Sequence, residues 1–211
     1  MRRIIWSLAL MLWLGHGGIA LGAAYDDFLN AVKNGNSREV AQWLKRGIDA
    51  NTVDPSGQTV LHLAARAGAL EVVRVLVDAR VNIDRRNANG ETAIMLAALG
   101  GHRSVVEFLL SKEAQINQPG WTALLYAATN GHLEVVKILV ENHAYIDSSP
   151  DNGLTSMMMA ARAGHLSVVQ FLLEEGADAS LKNDRGETAL DWAQQSRNTD
   201  IAALISAKLK K

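Results

Sequence analysis

The chain has 211 residues, no cysteine, 48% hydrophobic residues and a formal net charge of −1. A balance this close to neutral does not suggest a nucleic-acid binder, which would show a basic patch or stripe. The lack of cysteine rules out disulfide staples and any mispairing in an oxidising compartment, and a chain of this length buries enough apolar surface to fold without them.

The first 24 residues stand apart. Arg2 and Arg3 form a positive start, Ile4 to Leu14 is an apolar run, and Gly15-His16-Gly17-Gly18 is expected to break any helix. Ile19 to Ala24 then ends in small residues, completing the three-part plan of a secretory signal peptide. Cleavage is expected after Ala23, with Gly22 and Ala24 also compatible, so residues 1–23 form the signal and 24–211 the mature domain. The competing reading is an uncleaved membrane anchor, but the apolar run is shorter than the roughly 20 residues a spanning helix needs. Without cysteine, a lipid-anchored lipoprotein is not expected. Cleavage removes two arginines and no acid, which moves the formal charge from −1 to −3. The expected location is a bacterial periplasm, with secretion as the alternative and no membrane association once the signal is gone.

A six-residue phrase recurs in the rest of the chain. It reads T-V-L-H-L-A from Thr59, T-A-I-M-L-A from Thr92, T-A-L-L-Y-A from Thr122, T-S-M-M-M-A from Thr155 and T-A-L-D-W-A from Thr188, at intervals of 33, 30, 33 and 33 residues. A fixed period of this length predicts an all-α solenoid of stacked helix-turn-helix units. In one unit, Thr59 stands where a helix N-cap belongs, and Leu61 to Ala65 is a short apolar helix ended by Gly68. A second helix is predicted over Leu70 to Asp78, with Val72, Val73, Leu76 and Val77 on one stripe. Ala64, Ala97, Ala127, Ala160 and Ala193 recur in register, where a larger residue would overpack the stack. The register reaches back to Ala31 and Gly35, so Phe28 to Asn51 is a first repeat, with Asp26 or Asp27 replacing the helix-starting Thr. The last unit, from Gly186, has Arg197 in place of the turn glycine and ends A-K-L-K-K. That makes six units, the outer two acting as caps.

These phrases resemble the ankyrin-repeat family, whose unit is a turn and two antiparallel helices with the signature T-P-L-H-x-A. T-V-L-H-L-A is followed here by A-R-A-G-A-L-E-V-V, and T-N-G-H-L-E-V-V and A-R-A-G-H-L-S-V-V come later. The resemblance runs from about Tyr25 to the C-terminus. Three departures stand out. The signature proline is absent, its His survives only as His62, and the glycine after the second helix is replaced by Arg80, Glu113 and His143 in the middle repeats. A left-handed backbone at those three costs roughly 1–2 kcal/mol each relative to glycine, so the central repeats are expected to be the weaker ones.

No catalytic constellation is found. His102, His132 and His165 fall at equivalent places in successive repeats, about 8–10 Å apart by helix packing, which is too far to share an ion held near 2.0–2.1 Å. Met157, Met158 and Met159 point about 100° apart around a helix and cannot converge on one metal; adaptable packing accounts for them. No G-x-S-x-G, H-E-x-x-H or phosphate loop is present. Neither enzymatic activity nor a cofactor or metal is expected.

The resemblance implies that turn fingers and first helices form a concave surface that binds a folded protein. Carried over residue by residue, the candidate contacts are Gln58, Arg66, Glu91, Leu99, Trp121, Thr129, Asn130, Leu154 and Arg162. Trp121 follows a finger shortened to Ile116-Asn117-Gln118-Pro119-Gly120, where it either presents a hot spot beside a gap or folds down to fill the deletion. The expected function is a non-enzymatic, monomeric interaction module in the periplasm. The alternative is an inhibitor or immunity-type protein blocking a toxin or periplasmic enzyme, and methionine-based metal binding ranks below both.

Overall fold

The computed structural model describes the backbone of residues 14–210 and the side chains of residues 22–210. Arg2, Arg3 and most of the expected leader run therefore lie outside the described residues. Among the described residues, twelve helices pair into six helix-turn-helix units. The first helices are α1 (Leu14–Lys33), α3 (Val60–Arg66), α5 (Ala93–Leu99), α7 (Ala123–Thr129), α9 (Ser156–Ala163) and α11 (Ala189–Gln195). The second helices are α2 (Ser37–Lys45), α4 (Leu70–Asp78), α6 (Arg103–Ser111), α8 (Leu133–Glu141), α10 (Leu166–Glu174) and α12 (Thr199–Leu209). None of them is long and apolar enough to cross a membrane.

The start of α1 departs from expectation. The helix runs straight through Gly15 to Gly18, and Asp26 and Asp27 lie well inside it rather than at its cap. A mid-helix glycine costs about 1 kcal/mol relative to alanine but keeps its N–H, so it weakens a helix without ending it. The other end of α1 is fixed by fully buried Phe28 and Val32 and by the Tyr25 hydroxyl, which donates to the Val53 carbonyl.

The remaining first helices start where the threonines predict. The hydroxyls of Thr59, Thr122, Thr155 and Thr188 accept from the backbone N–H three residues on, at 3.2–3.3 Å. His62 and Asp191 accept in return from the N–H groups of Thr59 and Thr188, closing a capping box. Thr92 is the exception. Its buried hydroxyl has no partner, and its N–H faces the Met95 sulfur at 3.4 Å.

Behind these starts, the five in-register alanines are fully buried, which lets first helices of adjacent repeats approach closely. Met157 and Met158 lie in the same core.

Two ladders of side chains lock one repeat to the next. Asn51, Asp84, Asn117 and Asp147 accept the backbone N–H groups of Asn82, Gln115, Tyr145 and Asp178, each from the following repeat. Further along, the Nε2–H groups of His102, His132 and His165 donate to the carbonyls of Arg66, Leu99 and Thr129 in the preceding repeat, at 2.9–3.0 Å. Each imidazole lies flat against a turn glycine. A Cβ at Gly101 would come within 2.5 Å of His132 Nδ1, so the ladder needs that glycine as well as the histidine.

Arg80, Glu113 and His143 adopt φ of 62°, 62° and 67°, so the middle repeats do carry the left-handed strain that their sequence implies. Arg197 joins them at 60°.

Candidate protein-binding face

The first helices and the fingers share one side of the array, and each of the five repeats that carry the phrase supplies it with the same three positions. Before the threonine come Gln58, Glu91, Trp121, Leu154 and Glu187. The fifth residue of the phrase gives Leu63, Leu96, Tyr126, Met159 and Trp192. The end of the first helix gives Arg66, Leu99, Thr129, Arg162 and Gln195.

At the centre, Trp121 is half-buried. Its ring packs on that of Tyr126 at a centroid distance of 5.1 Å and a 46° tilt. Trp121 therefore neither stands free beside the gap nor disappears into it. The short finger below it is clamped from the previous repeat: Arg86 Nε donates to Gln118 Oε1 at 2.9 Å, and its Nη2 to the Pro119 carbonyl at 3.1 Å. Half-buried Leu154 and Met159 occupy the matching positions of the next repeat, and half-buried Leu99 ends the first helix of the preceding one, so these side chains form an apolar strip with an aromatic pair at its heart.

Glu91 corrects an expectation. It was predicted as an exposed contact, but it is only 8% exposed. Asn87 Nδ2 donates to its Oε2 at 2.8 Å, the Tyr126 hydroxyl donates to its Oε1 at 2.9 Å, and Arg66 approaches Oε2 at 3.6 Å. Burial opposes the charge, but the bonds from Asn87, Tyr126 and Asn89, with Arg66 alongside, outweigh it and hold the carboxyl below its usual range. Burial and then the Glu91 carboxylate push the Tyr126 hydroxyl well above its own. Glu91 thus holds Tyr126 and Arg66 in place.

The structure brings Arg66, Glu91 and Trp121 together through Tyr126, and it leaves other predicted contacts with local work. Gln58 Nε2 donates to Ser56 in its own finger. Thr129 bonds back to the Leu125 carbonyl at 2.7 Å and Asn130 to the Tyr126 carbonyl at 3.1 Å, both within their helix end. Arg162 is exposed and lies over the Trp192 ring at 5.2 Å. Tyr126 and Trp192 were missed by sequence reasoning. Their signal was the fifth position of the phrase, which changes there from aliphatic or thioether side chains to aromatic ones with a polar tip.

Four overlapping matches to a family model described as ankyrin repeats (3 copies) span residues 28–119, 79–150, 115–183 and 146–210. The chain belongs to the ankyrin-repeat family. Among curated ankyrin proteins, it is similar to the Notch-regulated ankyrin repeat-containing protein of Xenopus laevis, 37% identical over 89 residues that make up 40% of this chain and 78% of that one. Among solved structures, it is similar to a chain of the Bd0816 predatory endopeptidase from Bdellovibrio bacteriovorus in complex with immunity protein Bd3460. That likeness has a TM-score of 0.76 and 33% identity, covering 86% of this chain and 97% of the other. The human ASB11 ankyrin repeat domain shares the fold, with a TM-score of 0.80 at 22% identity, covering 86% of this chain and 82% of that domain. Ankyrin arrays are protein-interaction modules, and the apolar centre with arginines to either side lies on the face formed by the first helices and fingers.

Proposed function

We propose that this ankyrin array is a non-enzymatic module of the periplasm that binds one folded protein through the face formed by its first helices and fingers. The observation that carries the reading is the Trp121–Tyr126 pair at the centre of an apolar strip, with Arg66 and Arg162 beyond it. Half-buried aromatics and arginine are the side chains that dominate interface energies. The leader composition of residues 1–23 supports export, with cleavage after Ala23.

Of the two ways such a module acts, scaffolding or blocking, a specific observation favours blocking. The chain is 33% identical to, and covers 97% of, a chain from an endopeptidase–immunity protein complex. On this reading the array is an immunity-type inhibitor that covers a periplasmic or secreted enzyme. The experiment is to express the chain, locate it by fractionation, recover its partner and assay that partner's activity with and without the array. An active free partner silenced by a stoichiometric amount of the array is the expected result. A cytosolic chain, or a partner whose activity the array leaves unchanged, tells against export or inhibition respectively.

A further inference from the structure

The same arginine–glutamate spacing occurs twice on the binding face and ends in two different arrangements. Arg66 and Glu91 are 25 residues apart and paired at 3.6 Å. Arg162 and Glu187 repeat that spacing three units further on, yet no ion pair joins them. Trp192 takes the carboxylate instead: its indole N–H donates to Glu187 Oε2 at 2.9 Å, beside Asn183 Nδ2 at 2.9 Å, and Gln195 Nε2 donates to Oε1 at 3.2 Å. Those three bonds hold the Glu187 carboxyl at about 2, so the group stays ionised and fully engaged. Arg162 is displaced onto the Trp192 ring face, which attracts a guanidinium without using its N–H donors.

Arg185 closes the other side. Arg162, Arg185, Glu187, Trp192, Gln195 and Ser196 line an open cavity of about 140 Å³. Neither arginine has a carboxylate within ion-pair distance among the described residues. Of the other acids nearby in sequence, Asp191 is held by Thr188 at 2.7 Å, and exposed Asp184, next to Arg185, forms no ion pair with either arginine. Two guanidiniums with free donors, facing one carboxylate whose bonds are already made, leave a net positive hollow of side-chain size. Guanidinium forks match carboxylate oxygens in pairs.

We infer that the hollow between Arg162 and Arg185, floored by Trp192, receives a single Asp or Glu side-chain carboxylate from the protein partner. This rests on the interaction reading above and adds the partner's chemistry at the C-terminal end of the face. Trp192 acts as the selector: by holding Glu187 it keeps the arginines free for an incoming acid.

The test is a ¹H–¹⁵N titration of the intact chain, following the Trp192 indole and the two arginine Nε–H signals. The probes are N-acetylglutamate α-amide, its glutamine counterpart, and N-acetylglycine as a terminal carboxylate. Saturable shifts with the glutamate probe at about 1–10 mM, none with the glutamine probe, and about tenfold weaker binding in Arg162→Gln/Arg185→Gln at an unchanged melting temperature are expected. Equal response to the glutamine probe, tighter binding of N-acetylglycine, or full binding by the double variant overturns the assignment. A chain that holds a protein partner through Trp121 yet ignores the glutamate probe sinks the hollow and leaves the interaction reading intact. A chain that takes the probe but no protein does the reverse.

Discussion

Tyr126 and Glu91 meet across a repeat boundary, the hydroxyl donating to Oε1 at 2.9 Å from 35 residues away. The bond fixes the ring on which Trp121 packs, so a buried acid in one repeat sets the aromatic surface of the next. Tyr126→Phe removes the hydroxyl and keeps the ring. Because the acceptor is charged and buried, the loss is expected to cost about 1.5–3 kcal/mol, read as a lower urea midpoint, with a shift in Trp121 emission.

His62 gives the fold an acid-sensitive point. Its Nε2–H donates to the Glu91 carbonyl at 3.0 Å while Nδ1 accepts from the Thr59 N–H at 3.1 Å, an arrangement that requires the neutral ring. Burial is the main reason its pKa lies below the ordinary value. The unfolded chain takes up this proton near pH 6.5 and the folded chain only at lower pH. The stabilisation is therefore whole above about 6.5 and is lost as pH falls from there towards the folded value. Urea midpoints at pH 7.5 and pH 5 should differ more for the wild type than for His62→Met, which takes the residue found at the equivalent Met95 and Met158.

Asp147 performs with a charge what Asn51 and Asn117 perform without one. Burial first, and the nearby Asp178 charge after it, raise the Asp147 pKa against the opposing bond from the Asp178 N–H. An acid with a raised folded pKa destabilises the fold once ionised, and that penalty is absent below the unfolded value of about 3.9. Asp147→Asn retains the acceptor and should gain about 0.5 kcal/mol at pH 7. Denaturation of both chains at pH 3.5 should show the gain gone.

Arg80, Glu113 and His143 hold positive φ at the exits of second helices. Glycine there removes about 1–2 kcal/mol of strain and gives back about 0.5–1 kcal/mol in unfolded-chain entropy. Each single glycine variant should raise stability by roughly 0.5–1 kcal/mol, visible as a higher urea midpoint with an unchanged slope.

Much of this architecture was legible because each repeat solves the same packing problem. The threonine caps, the buried alanines, the second helix Leu70–Asp78 and the strained Arg80, Glu113 and His143 all follow from register alone. Register failed where a side chain's fate depends on a neighbouring repeat. Glu91 reads as a finger-tip acid, but Tyr126 and Arg66 on either side, with Asn87 in its own finger, enclose it. Trp121 gave two placements because its ring rests on Tyr126, a contact that no periodicity encodes. The glycines at 15, 17 and 18 looked like a break because local propensity was weighed without the helix that continues past them to Lys33.

The central claim is tested most directly by recovering tagged protein from the cells that express it as wild type, Trp121→Ala and Phe108→Ala. Phe108 lies on the second-helix side, beneath Arg74 at 4.5 Å, and serves as the control. The account predicts one stoichiometric partner held by wild type and Phe108→Ala, and bound at least about tenfold more weakly by Trp121→Ala. A partner kept by Trp121→Ala and lost by Phe108→Ala would place binding on the opposite side and contradict the account.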